Sequence, residues 1–190
     1  MHPDLIAERF TLRPLREADA SAITAACQDP EILKWCMGVP LNYTEETARN
    51  YISLTRAAGE QGTELVWGID ASGKLAGIVT LHEIEGPFAE LGFWAHPESR
   101  GQGLLTEALR VMIGFAFDPQ GLGFDALGWT AIYGNDASRH VAEKLGFSDI
   151  EFVENGTAGR PDAASAPTRL DAWRATMTRQ QWLEKNFRVS

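Results

Sequence analysis

Between Ala89 and Ala116 the hydrophobic period of the chain changes once. Leu91, Phe93 and Ala95 alternate with Glu90, Gly92 and Trp94, the two-residue repeat of a strand. Pro97 ends that repeat. After Arg100-Gly101-Gln102-Gly103 the apolar positions fall at Leu105, Ala108, Leu109, Met112, Ile113 and Ala116, one face of a helix. A second passage of the same kind follows. Leu127, Trp129, Ala131 and Tyr133 alternate, Asn135 or Asp136 can cap the next helix, and Gly146 suits its left-handed C-terminal position. Read the same way, the whole chain predicts strands at 9–15, 64–70, 75–85, 89–96, 125–133, 147–154 and 169–178. Helices are predicted at 17–28, 45–59, 103–117 and 136–145. Ala71-Ser72-Gly73-Lys74 reads as a hairpin turn. The pattern predicts one α/β domain over residues 1–190, a mixed sheet with helices packed on it. Two loops stand out: Gln28 to Asn42, with Trp35, Cys36 and Met37, and Asn155 to Thr168, rich in small residues and expected to be mobile.

The glycines at 101 and 103 bring chemistry into this pattern. A helix leaves its first N–H groups unpaired, and its dipole favours an anion there. Glycines at that mouth let a pyrophosphate approach the backbone. Pro is tolerated at the first helical positions, so Gly103→Pro is expected to remove one N–H and leave the fold intact. A second glycine pattern, Gly121-Leu122-Gly123-Phe124-Asp125-Ala126, fits a dinucleotide fingerprint but has a helix before it and a strand after it. That order lacks the phosphate-binding helix N-terminus, so the pattern is set aside. His2, His82, His96 and His140 lack metal-ligand spacing, and no metal is expected.

Composition narrows the function classes. The 190 residues are 44% hydrophobic and 23% charged, with no apolar run long enough for a membrane span. The first residues carry neither the basic nor the apolar segment of a secretory signal. Cys27 and Cys36 form neither a zinc pattern nor a disulfide framework, and read as reduced thiols of a cytoplasmic protein. A net charge of −9 argues against nucleic-acid binding. An anionic ligand therefore needs a local exception, which Arg100, Arg139 and Lys144 can supply. The overall negative charge favours cationic partners such as amines.

The two strand-to-helix passages together resemble a known superfamily. Arg100, Gly103 and position 105 match the acyl-coenzyme A motif of the GNAT N-acetyltransferases, Arg/Gln-x-x-Gly-x-Gly/Ala, with Leu105 as a departure from it. Asn135, Ser138 and Lys144-Leu145-Gly146-Phe147 match a second signature. Phe10 to Leu15 with Asp19, Tyr43 to Ala48, Leu75 to Val79 and Asp171 to Trp173 extend the likeness along the chain, toward the RimJ/RimL-type branch.

That resemblance implies a mixed, mostly antiparallel sheet of about six to seven strands flanked by helices. It implies transfer of an acyl group, acetyl first, from acetyl-CoA or another acyl-CoA to an amine. The acceptor would be a protein N-terminus or a small molecule, and the protein a monomer or homodimer. Backbone N–H groups of Gly101, Gln102, Gly103, Leu104, Leu105 and Thr106 would hold the pyrophosphate. The main chain of Phe93, Trp94 and Ala95 would pair with pantetheine, the N–H of Trp94 or Ala95 polarising the thioester. Asn135 would contact the pantetheine arm, and Ser138, or a water relay, would protonate the leaving thiolate. Glu90, Glu83, His82 or ordered water would take the proton from the amine. Trp35, Cys36, Met37 and His82 would border the acceptor pocket. A catalytically silent acyl-CoA sensor is the alternative, and Leu105 is the residue that favours it.

Overall fold

The computed structural model describes residues 2–161 and 168–186. In chain order its elements are β1 (Leu5–Ile6), β2 (Thr11–Pro14), α1 (Ala20–Cys27), α2 (Pro30–Trp35), α3 (Glu45–Gln61), β3 (Leu65–Ala71), β4 (Lys74–Glu85) and β5 (Phe88–Ala95). Then come α4 (Leu104–Phe117), β6 (Ala126–Ile132), α5 (Asp136–Leu145), β7 (Glu151–Ala158), β8 (Arg169–Thr178) and α6 (Arg179–Asn186). The strands form one sheet in the order β1-β2-β3-β4-β5-β6-β8-β7. Every neighbouring pair is antiparallel except β5 and β6, which run parallel.

Alternation along the strands gives each face its own core. On one face Leu12, Trp67, Val79, Leu91 and Leu127 pack with Leu109, Met112 and Ile113 of α4 and with Ala142 and Leu145 of α5. On the other, Leu15, Val66 and Ile78 pack with Ile23 and Cys27 of α1 and Ala48 and Ile52 of α3. Local chemistry sets the helix limits. Thr44 caps α3 by accepting the Thr47 N–H at 3.2 Å, and Gly62 closes it in the left-handed region. The predicted turn after β3 places Ser72 and Gly73 at φ 53° and 79°, the left-handed pair that a two-residue hairpin needs.

Four expectations change. Among the described residues the sheet has eight strands, because Leu5–Ile6 adds an edge pair to Leu12 and Thr11 that is too short to show a period. Residues 30–35 are helical where a loop was expected. Asp29 caps them through Glu31 and Ile32 N–H, and Pro30 sits in the first turn. The strand predicted at 147–154 lies at Glu151–Ala158, because Phe147 is buried against Trp129 at the end of α5. Its second half takes up the start of the loop expected at Asn155, and residues 162–167 of that loop lie outside the described residues. Finally, α6 follows β8 directly, anchored by buried Trp182.

Candidate active site

The two central strands part. β5 pairs with β6 only from Phe88 with Ala126 to Leu91 with Trp129. Beyond that point β5 stays with β4 as far as Ala95, and β6 stays with β8 as far as Ile132. A wedge therefore opens through the sheet between Gly92–Ala95 and Thr130–Ile132. The main chain on its β5 side can be oriented. His96 N–H donates to Ala76 O at 2.9 Å, and the register pairs Ile78 with Trp94. Main-chain groups of successive residues point to opposite sides of a strand. Those of Gly92 and Trp94 turn to β4, and those of Phe93 and Ala95 turn into the wedge. Of the two residues expected to donate to the thioester, Ala95 faces the gap and Trp94 does not; Phe93 faces it as well.

The glycine loop at 100–103 closes one end of the wedge. Gly101 and Gly103 have φ of 74° and 78°, the left-handed region that favours glycine. The first α4 bond runs from Glu107 N to Gly103 O at 3.1 Å, so the N–H groups of Leu104, Leu105 and Thr106 precede the helical ladder. Arg9 braces this loop from β2's side, donating to Gln102 O at 3.2 Å and pairing with Glu107 at 2.7 Å. The positive φ at 103 overturns the expectation for Gly103→Pro, since a proline ring holds φ near −65° and would break the loop outright. Gly103→Ala is the sharper probe. Its Cβ would meet only Glu107 Oε1 at 3.6 Å, so the cost is the left-handed backbone, roughly 1–2 kcal/mol. The free loop of Gly103→Ala can shed that strain and must regain it to bind, so calorimetry should show coenzyme A bound more weakly, by up to about 5- to 30-fold. Parent-like affinity would mean that the loop is a tight turn and no more.

The wedge belongs to a cavity of about 800 Å³ that reaches both faces of the sheet. On the α4/α5 face it is bordered by Gly101, Gly103, Leu105, Thr106, Asn135, Ser138 and Lys144, with Arg100 at its edge. On the other it is bordered by Trp35, Cys36, Met37, His82, Glu83, Glu90 and, from the helix that the sequence did not reveal, Glu31 and Ile32. Phe93, Trp94 and Ala95 lie between. Three expected residues do not border it. Leu104 is buried in the core, and the Gln102 side chain turns back to Glu98 O at 2.9 Å. Arg139 pairs with Glu143 at 2.9 Å and lies over the Trp173 ring, so it leaves the local positive charge to Arg100 and Lys144.

Ser138 is held from two sides. Asn135, the α5 cap, accepts Ser138 N–H through Oδ1 at 3.2 Å, and Trp129 Nε1 donates to Ser138 Oγ at 3.2 Å. Trp129 was missed as a site residue. Its signal is a fully buried indole on a strand, whose N–H must find an acceptor.

On the opposite face His82 and Glu90 sit directly across from each other on β4 and β5. A Cβ on Gly92 would come within 3.3 Å of His82 Nε2, so the glycine makes room for the imidazole to lie across β5. Glu83 follows at φ 49°, where the register slips between His82 and Glu85. Such a bulge re-aims a side chain, and here Glu83 borders the cavity. Burial pushes the Cys36 thiol up to about 11, with Arg160 and Arg100 opposing. It therefore stays protonated at neutral pH and serves as lining, since the thiolate is the nucleophilic form.

A family model, the acetyltransferase (GNAT) domain, matches residues 9–148. The chain is 31% identical over 156 residues to the "Putative ribosomal N-acetyltransferase YdaF" of Bacillus subtilis (strain 168), covering 78% of this chain and 83% of that protein. Among solved structures, Mycobacterium smegmatis RimJ in complex with CoA-disulfide superposes with a TM-score of 0.79 at 20% identity, covering 95% of this chain and 91% of that one. RimL, a ribosomal L7/L12 α-N-protein acetyltransferase in complex with coenzyme A, gives 0.74 at 16% identity, covering 93% and 98%. These two likenesses concern the fold.

Proposed function

We propose that this chain, which belongs to the GNAT acetyltransferase family, transfers the acetyl group of acetyl-CoA to the primary amine at a protein N-terminus. The observation that carries this reading is the parted pair β5/β6 leading into the glycine loop of α4. It offers free main-chain groups beside a helix mouth, which suits an extended amide-bearing arm ending in a pyrophosphate. Arg100 and Lys144 are the cations that border this end of the cavity.

The chemistry divides across the sheet. An amine attacks only when neutral, so a base must first take its proton. Glu90, Glu83 and His82 all border the acceptor side, and one of them takes that proton directly or through water. With Glu31 they make that side acidic, which suits an incoming ammonium group. As the N–C bond forms, charge gathers on the carbonyl oxygen, and the wedge-facing N–H of Phe93 or Ala95 is oriented to meet it. The C–S bond then breaks, the bonded nitrogen releases its remaining extra proton to the base or water, and the thiolate takes a proton from Ser138, which recovers one from solvent, or from water directly. Leu105 borders the cavity at the loop, where the acyl-coenzyme A motif has glycine or alanine. The protein N-terminus is preferred to a small amine because of the name borne by the 31% identical relative. The two free thiols support a cytoplasmic setting.

Two measurements test this. Acetyl-CoA at a hundredfold excess over Kd should stabilise the native state by about 2.7 kcal/mol, raising Tm by roughly 5–11 °C for a chain of this size. No shift at millimolar ligand would remove the cofactor assignment. Thiol release with acetyl-CoA should then be seen with short N-terminal peptides, each product gaining one acetyl group on its α-amine. Turnover confined to small amines would move the acceptor to that class, and binding without turnover would favour a sensor.

A further inference from the structure

The acceptor wall is fastened to the phosphate loop through one carboxylate oxygen. Asp29 Oδ1 accepts the N–H groups of Glu31 and Ile32, at 3.2 and 3.1 Å, as the cap of α2. The same atom accepts Arg100 Nη2 at 2.6 Å. Asp29 is mostly buried in this pair, and Arg100 borders the cavity at the first position of the phosphate motif. The helix that Asp29 caps supplies Glu31, Ile32 and Trp35 to the acceptor side. Trp35 reaches toward the β6–α5 turn, where its Cη2 would lie 3.9 Å from a Cβ on Gly134. At the other end of α2, Arg160 from beyond β7 donates to Leu33 O. The short helix therefore spans the mouth of the wedge and is held by side chains from the elements that flank it.

We propose that Asp29 is a positioning residue that couples acyl-CoA binding to the acceptor wall. The inference rests on the reading of the loop as an acyl-CoA site. A guanidinium has five N–H donors in one plane, so Arg100 can hold Asp29 with one edge and an anion in the loop with another. An anion that fixes the Arg100 plane also fixes its bond to Asp29, and so tightens the first turn of α2. By linkage, an organised acceptor wall strengthens coenzyme A binding by the same factor.

The test is peptide-level hydrogen exchange of the segment 29–38, with and without coenzyme A, in the parent and in Asp29→Asn. Asparagine caps a helix as well as aspartate but removes the charge that pairs with Arg100. In the parent, coenzyme A should slow exchange of this segment by about fivefold or more, the lower end of typical site-to-site couplings. In Asp29→Asn coenzyme A should still bind, measured by calorimetry, but the slowing should disappear. A merely structural role for Asp29 would change exchange equally in both states and leave the response to coenzyme A intact. An unchanged response in Asp29→Asn, or none in the parent despite measured binding, would overturn the coupling alone. Failure of the parent to bind coenzyme A would overturn the acyl-CoA reading and this inference with it.

Discussion

Replacing Asp19 by Ala should lower the unfolding free energy by about 3–5 kcal/mol, because it strips the partner from a buried charge. Arg13 and Asp19 are 5% and 6% exposed. The guanidinium meets Asp19 twice, Nη1 to Oδ2 at 2.8 Å and Nη2 to Oδ1 at 2.9 Å, and its Nε donates to Asp70 Oδ2 at 2.7 Å. Asp19 Oδ2 also accepts the Arg16 N–H at 2.7 Å, closing the short turn that leads into α1. Asp70 remains in the variant, so the lower end of the range is expected. Urea unfolding of parent and variant at pH 7 measures the difference, and a loss under 1 kcal/mol would show that Asp70 alone suffices. The pH dependence has a definite sign. Burial pushes the Asp19 carboxyl up, but the hydrogen bonds from Arg13 and Arg16 outweigh it, and the net shift is down. A depressed folded-state value gives stability that is whole above the ordinary carboxylate range and lost as pH falls through the folded value. The parent should therefore lose stability in acid below about pH 4, and Asp19→Ala should lose less over the same interval.

Elements with a long, clean period were legible in the sequence, and so were most of the residues that border the central cavity. Helix α4 and the strands beside it were readable because Leu105 to Ala116 and Leu91 to Ala95 keep one period over several turns or residues. The loop and both caps were readable because Gly103, Asn135 and Gly146 are residue types that these backbone positions favour. Two things were not. Helix α2 is six residues long, too short for a hydrophobic period to declare itself. Its signal was local, an Asp followed by Pro, and it lay inside what read as an apolar loop. The partners of charged side chains were also hidden. Arg139 stands beside a signature serine yet turns to Glu143, while Arg100 finds Asp29 across 71 positions of chain. Such pairings depend on how elements pack, which a period does not encode. The direction of main-chain groups along β5 needed the register with β4, and that register turns those of Trp94 to β4 and those of Phe93 and Ala95 into the wedge.

Ser138→Ala should lower kcat about a hundredfold while changing KM for acetyl-CoA little. Ground-state binding in this reading rests on the loop at 101–106 and on the main chain of β5, neither of which Ser138 touches. The hydroxyl matters when sulfur departs with its electron pair. Its geometry is specific: Trp129 Nε1 donates to Oγ, and an indole N–H can only donate. Oγ is therefore the acceptor in that bond, and the serine's own proton is free to turn into the cavity that Ser138 borders. An interaction made chiefly in the transition state appears in kcat. Positioned general acids contribute about 10²–10⁴-fold, and a hydroxyl, being a weak acid, belongs at the low end. Trp129→Phe separates this role from simple helix capping. It keeps an aromatic ring at the point where the strands part, removes the N–H together with part of the indole's volume, and leaves the Asn135 cap in place. It should therefore reduce kcat by a smaller factor than Ser138→Ala, and the double variant should fall no further than Ser138→Ala alone. Steady-state kinetics of the three variants with a peptide acceptor read this out. An unchanged kcat in Ser138→Ala would reduce the serine to a residue of the α5 first turn and pass protonation of the thiolate to water. Full additivity in the double variant would show that the indole acts on something other than the hydroxyl.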